Sequence, residues 1–149
     1  MRREGSEAER HPAEILLDSN IFLEVQLAQK HARPCGLLLA KVRDGKTRAI
    51  VTDFHIDSVV VVMENYGKNP REVVTFLASL TLYKGLTIYH LGLYDRIKAA
   101  YAMRDLRLDY DDALALQASR QSSVNRIVSY DEHFDSVMSI KRVVPENLV

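Results

Sequence analysis

The stretch Ile15-Leu16-Leu17-Asp18-Ser19-Asn20-Ile21-Phe22-Leu23-Glu24-Val25 (ILLDSNIFLEV) runs three apolar residues directly into an acid and then into an amphipathic segment. The apolar triplet reads as a short buried strand that ends at Asp18. The segment over residues 20–30 reads as a helix, because its apolar positions recur at helical spacing. A strand that passes to a helix through a single polar junction is the opening of a parallel βαβ unit.

The same pattern repeats along the chain. Pro34 and Gly36 break the first helical segment, and residues 37–43 resume a helix before the turn at Gly45. RAIVT, residues 48–52, is a second buried strand. Residues 54–66 follow as a helix. Val59–Val62 alone favours a strand by β-branching, but the length of the segment and the Gly67 behind it decide for helix. Asn69-Pro70 opens another helix that runs to about residue 83. LTIYH, residues 86–90, is the third strand. Helices over 93–106 and 111–122 precede RIVS, residues 126–129, the fourth strand. A turn of helix at 131–134 and a last strand at 140–144 complete the series. Five strands joined by helical crossovers predict an α/β fold: an open, mainly parallel five-stranded sheet with helices on both faces.

A length of 149 residues fits one domain. The polar, mixed-charge residues 1–13 read as a flexible tail and residues 14–149 as the domain. Hydrophobic residues at 47% and charged residues at 27% exclude wholesale disorder. Cys35 is the only cysteine, so an intrachain disulfide, a zinc ribbon and a CxxC redox pair are all excluded. It reads as a small buried filler. Apolar runs are too short to cross a bilayer, and no export signal is evident, so a soluble cytoplasmic protein is expected. Twenty basic against twenty acidic residues give no net charge that would announce a nucleic-acid partner.

The acids are placed unevenly. Asp18 follows strand one, Asp53 and Asp57 follow strand two, Asp131 follows strand four, and Asp111 and Asp112 begin the helix before strand four. The C-terminal ends of parallel strands form the ligand crevice where the winding reverses. If strands one and four are neighbours, Asp18 and Asp131 meet there, with Asp112 in reach. Singly, each acid is a good helix cap, and Asp111 reads as the cap of the helix carrying Asp112. Together, several carboxylates in one crevice repel one another unless cations neutralise them. Oxygen-only donors select Mg²⁺ or Mn²⁺, so the pattern points to an acidic divalent-metal site. No GxxxxGKS loop is present, which excludes P-loop nucleotide hydrolysis.

With those residues in place, the chain resembles the PIN-domain nucleases, especially the small VapC-type toxin ribonucleases. ILLDSNIFLEV at 15–25, DDALALQAS at 111–119 and RIVSYDEHFD at 126–135 carry the resemblance. The matching positions are Asp18-Ser19-Asn20, Asp112-Ala113, and Asp131 with Phe134. The resemblance implies a three-layer α/β/α fold and Mg²⁺- or Mn²⁺-dependent hydrolysis of RNA. It assigns Asp18, Asp112 and Asp131 as metal ligands or water-positioning acids. Ser19 and Asn20 become the polar pair beside the first of them, with Asn20 orienting a carboxylate. The family's usual Glu after strand two is replaced by Asp57, with Asp53 and Glu64 as weaker substitutes, so Asp57 stands as the fourth catalytic acid. The resemblance also implies a homodimer and an antitoxin protein whose Arg could enter the acidic pocket.

Other residues read more plainly. His55, beside the acids, is expected to be packed or partly exposed rather than a ligand. Glu24 is expected to be solvated, and Tyr130 and Phe134 to pack the sheet. Arg120 and Arg126 are candidates to face a phosphate backbone. Two other functions compete: a degenerate PIN-like domain that binds RNA or protein without cleaving, and a receiver-type phosphotransfer module. The second lacks an Asp at the end of strand three, where His90-Leu91-Gly92 stands.

Overall fold

A computed structural model describes residues 13–149. The expected tail lies outside the described residues except for Ala13, which packs against the core. Strands β1 (Ile15–Leu17), β2 (Ala49–Thr52), β3 (Leu86–Tyr89), β4 (Arg126–Val128) and β5 (Lys141–Val143) form one sheet in the order β3-β2-β1-β4-β5. Every pairing is parallel. Helices α1 (Ser19–Gln26), α2 (Ala32–Arg43), α3 (Asp53–Asn65), α4 (Pro70–Leu80), α5 (Leu93–Leu106) and α6 (Tyr110–Ser122) connect the strands. Two 3₁₀ turns, Glu132–Ser136 and Pro145–Asn147, flank β5.

Strand residues alternate between two cores, as the two-residue period of a strand requires. Ile15, Leu17, Ala49, Val51 and Val128 face one core with α1–α4. Leu16, Ile50 and Ile127 face the other with α5 and α6. This is the expected three-layer α/β/α arrangement. Both faces are covered, which is why the central strands read as unbroken apolar runs.

One local expectation changes, and another is borne out. Pro34 and Gly36 do not break a helix: both lie within α2, and the real break is the turn before it, where Ala28 adopts φ 50°. Pro34 sits in the first turn, where its missing N–H has no intrahelical acceptor to lose. In α3 the valine run is helical because His55, Ile56, Val59 and Met63 share one buried face. The helix ends as Gly67 suggests. Gly67 takes φ 82° and donates to the Glu64 carbonyl at 2.9 Å, while Lys68 donates to the Met63 carbonyl at 3.0 Å. These two bonds are a Schellman stop.

Candidate active site

β1 pairs with β4, so the winding reverses between them and opens a crevice at their C-terminal ends. Asp18 leaves β1 as the cap of α1, its Oδ1 accepting from the Ser19 amide at 2.8 Å. Its Oδ2 accepts from the Ser129 hydroxyl at 2.6 Å and from the Asn20 amide at 3.1 Å. Ser129 Oγ in turn accepts from Asn20 Nδ2 at 3.1 Å and from the Asp131 backbone at 2.9 Å. One hydroxyl therefore locks the ends of β1 and β4 together. Burial raises the Asp18 pKa, with Asp111 adding to it, against the opposing effects of the Ser129 and Ser19 donors and of His55.

α6 brings the second group of acids. Asp109 caps it by accepting from the Asp112 amide at 2.9 Å, which corrects the reading of Asp111 as the cap. Asp111 instead meets His55 Nε2 at 2.5 Å through its Oδ1. His55 is held by Thr52, whose hydroxyl accepts from the His55 backbone at 3.0 Å and contacts Nδ1. Burial lowers the His55 pKa, but the carboxylates of Asp111 and then Asp18 outweigh it, and the net direction is up. Asp112 is 3% exposed. Burial first, then the charges of Asp109, Asp131, Asp18 and Asp111, push its pKa to about 7. His133 Nδ1 lies 3.4 Å from Asp112 Oδ2 and 3.0 Å from Asp131 Oδ1.

Asp18, Asp112 and Asp131 thus gather at one crevice, with Ser19 and Asn20 beside Asp18. Asp57 is exposed and makes no hydrogen bond or ion pair among the described residues. It lines a groove of about 420 Å³ together with Ser19 and Asp111. Asp53 is engaged elsewhere, accepting from the Leu91 amide at 3.1 Å, and Glu64 is exposed near the end of α3. Arg126 opens β4, at the end of the strand away from the acids, and Arg120 is exposed late in α6. Glu24 is not simply solvated: it accepts from the His31 amide at 2.7 Å and closes the turn into α2. Cys35 and Phe134 are fully buried. Tyr130 stacks on His31 with ring centroids 4.0 Å apart.

Ser129, His55, Asp109, Asp111 and His133 complete the cluster and were not singled out as site residues by the sequence reading. Their signals are local. Ser129-x-Asp131 is the spacing of a hydroxyl that accepts an amide two residues on. Thr52-x-x-His55 and Asp109-x-x-Asp112 are cap-to-third-residue spacings.

The donor set fits a divalent cation. Among the described residues, Asp112 Oδ2 and Asn20 Oδ1 are buried without a hydrogen-bond partner, and a buried carboxylate oxygen without a hydrogen bond is costly. Among the described residues, two groups of side chains could hold an ion, Asp18–His55–Asp111 and Asp109–Asp112–His133, each with its ligand atoms within 4.8 Å of one another.

Comparison with solved structures finds the same fold at low identity. VapC20 of Mycobacterium tuberculosis, described as a sarcin-ricin loop cleaving toxin, superposes with a TM-score of 0.68 at 12% identity, covering 83% of this chain and 95% of that one. A toxin–antitoxin complex from Klebsiella pneumoniae gives 0.63 at 16% identity, covering 88% and 97%. VapBC2 from Rickettsia felis, bound to a DNA fragment from its promoter, gives 0.66 at 11% identity, covering 87% and 97%. Comparison with curated proteins gives no significant match. The PIN domain family model matches residues 15–138, which span the sheet from β1 to the turn after β4 and include every acid of the crevice; the chain belongs to the PIN domain family.

Proposed function

We propose that this protein is a Mg²⁺- or Mn²⁺-dependent endoribonuclease and the toxin of a toxin–antitoxin pair. The observation that carries the reading is the meeting of Asp18, Asp112 and Asp131 at the crevice between β1 and β4, with a buried Asp112 oxygen that no hydrogen bond among the described residues satisfies. Asp18, Asp112 and Asp131 would hold the ion, and Ser129 and Asn20 keep Asp18 in place. A bound divalent ion lowers the pKa of a water and offsets charge on a phosphodiester. Asp57, exposed at the groove rim with Ser19 and Asp111, would act as the fourth acid only at longer range. On the Asp112 side, a pocket of about 280 Å³ lined by Arg107, Asp109, Asp112 and His133 offers a cation to a backbone phosphate. The antitoxin, which the toxin–antitoxin complexes among the structural neighbours support, belongs to the same reading, together with a homodimeric state and a cytoplasmic setting. A degenerate domain that binds RNA without cleaving is the second reading, favoured by the exposed position of Asp57.

The test is cleavage of a fluorescent single-stranded RNA and of a DNA duplex by wild type and Asp18→Asn, in Mn²⁺, Mg²⁺ or EDTA. Asn still caps α1, so the variant removes charge at little cost to the fold. Cleavage of RNA by wild type alone, abolished by EDTA, is expected. RNA held equally well in EDTA and never cut in Mn²⁺ would establish the degenerate domain instead.

A further inference from the structure

We propose that His55 is itself a metal ligand through Nε2, giving this site a mixed imidazole–carboxylate donor set that prefers Mn²⁺ and later first-row divalent ions to Mg²⁺. The proposal rests on the metal-dependent reading above and concerns which side chain of α3 enters the site.

A helix turns about 100° per residue, so residues 55 and 57 project about 200° apart. Their burial shows which one faces the crevice. His55 is 1% exposed, whereas Asp57 is exposed at the groove rim. α3 therefore presents a nitrogen where the sequence leads one to expect an oxygen. The ring is oriented from behind, because Nδ1 is engaged by the Thr52 hydroxyl that also caps the helix. An imidazole held at one nitrogen by an oxygen, with the other turned to a metal, is the usual arrangement of a ligating histidine.

Nε2 is the nitrogen turned to the acids. It forms one group with the carboxylates of Asp18 and Asp111, all within 4.8 Å. Nε2 lies 2.5 Å from Asp111 Oδ1 and both atoms are buried, so the two face each other as a close pair beside Asp18. A divalent cation would replace the proton that this pair holds and be shared by the two, since a ligating imidazole nitrogen must be deprotonated. Hard all-oxygen sites suit Mg²⁺, and an imidazole shifts the preference toward Mn²⁺, Co²⁺, Ni²⁺ and Zn²⁺.

The test is pulsed electron paramagnetic resonance of Mn²⁺ bound to the full chain, with the histidines labelled ¹⁵N in a parallel sample, alongside calorimetry with Mn²⁺ and Mg²⁺. A directly bonded histidine-nitrogen coupling is expected in wild type and in His133→Gln, and its loss in His55→Gln. His55→Gln should also weaken Mn²⁺ by more than the roughly 10- to 100-fold that losing a ligand's orienting partner costs, and Mg²⁺ by a smaller factor. Mn²⁺ bound to wild type without nitrogen coupling, or a coupling that survives in His55→Gln, overturns the ligand role and leaves the metal-dependent reading standing. Wild type that binds no divalent ion overturns both. The wild-type spectrum decides the matter even if His55→Gln fails to fold.

Discussion

Ser129 is the residue on which the geometry of the crevice turns. Its single hydroxyl donates to Asp18 and accepts from Asn20 and from the Asp131 backbone, so it fixes three polar partners at once. Ser129→Ala leaves those groups short of a partner in a buried place, which costs about 1–3 kcal/mol. Urea unfolding of the metal-free protein should show that loss as a lower midpoint with an unchanged slope. A variant as stable as wild type would mean that water replaces the hydroxyl. The spacing Ser129-x-Asp131 was legible in the sequence. The bond to Asp18, 111 residues away, depended on β1 and β4 becoming neighbours.

At the scale of elements, α6 gathers Asp109, Asp111 and Asp112 at its N-terminus, where the helix dipole and the free amides favour negative charge. That lowers the cost of crowding carboxylates. α3 supplies the cap Thr52 and the inward His55 from the same junction with β2. The start of β3 is a tighter constraint. A Cβ on Gly85 would stand 2.3 Å from the Thr47 carbonyl oxygen and 2.8 Å from that of Val42. Both contacts are backbone and cannot swing aside. Gly85→Ala should therefore destabilise by about 1–3 kcal/mol or more, measured by denaturant unfolding. Pro34→Ala in the first turn of α2 should stay within about 0.5 kcal/mol. A large loss there would contradict the placement of Pro34 where no amide is needed.

For the whole molecule, the crowded acids make stability depend on pH. Asp112 is raised to about 7, and Asp18 and His55 are raised as well. A raised pKa means that the folded state holds the proton more tightly than the unfolded chain. The stability this contributes is full below the unfolded value and is lost as pH rises through the folded one. Metal-free protein should therefore melt at a lower temperature at pH 7.5 than at pH 5, and Asp112→Asn should flatten the difference. On the metal-dependent reading, saturating Mn²⁺ would bind the folded state and should raise the melting temperature at pH 7.5. At 100 times the dissociation constant, the gain is about 2.7 kcal/mol. A metal-free protein that is more stable at pH 7.5 than at pH 5 would contradict the crowding.

The sequence by itself determined the strands, most helix limits and the position of Asp18, Asp112 and Asp131 at element ends. Those features follow from local hydrophobic period, caps and turn residues, which act within a few positions. Only the tertiary structure decided which neighbours those acids have. The sheet order set β4 beside β1 and so joined Ser129 to Asp18. The docking of α6 against the end of α3 set Asp111 against His55, and the rotation of α3 turned Asp57 outward and His55 inward. Each of these pairings spans dozens of residues, and burial on folding, rather than local pattern, decides which side chain faces the crevice.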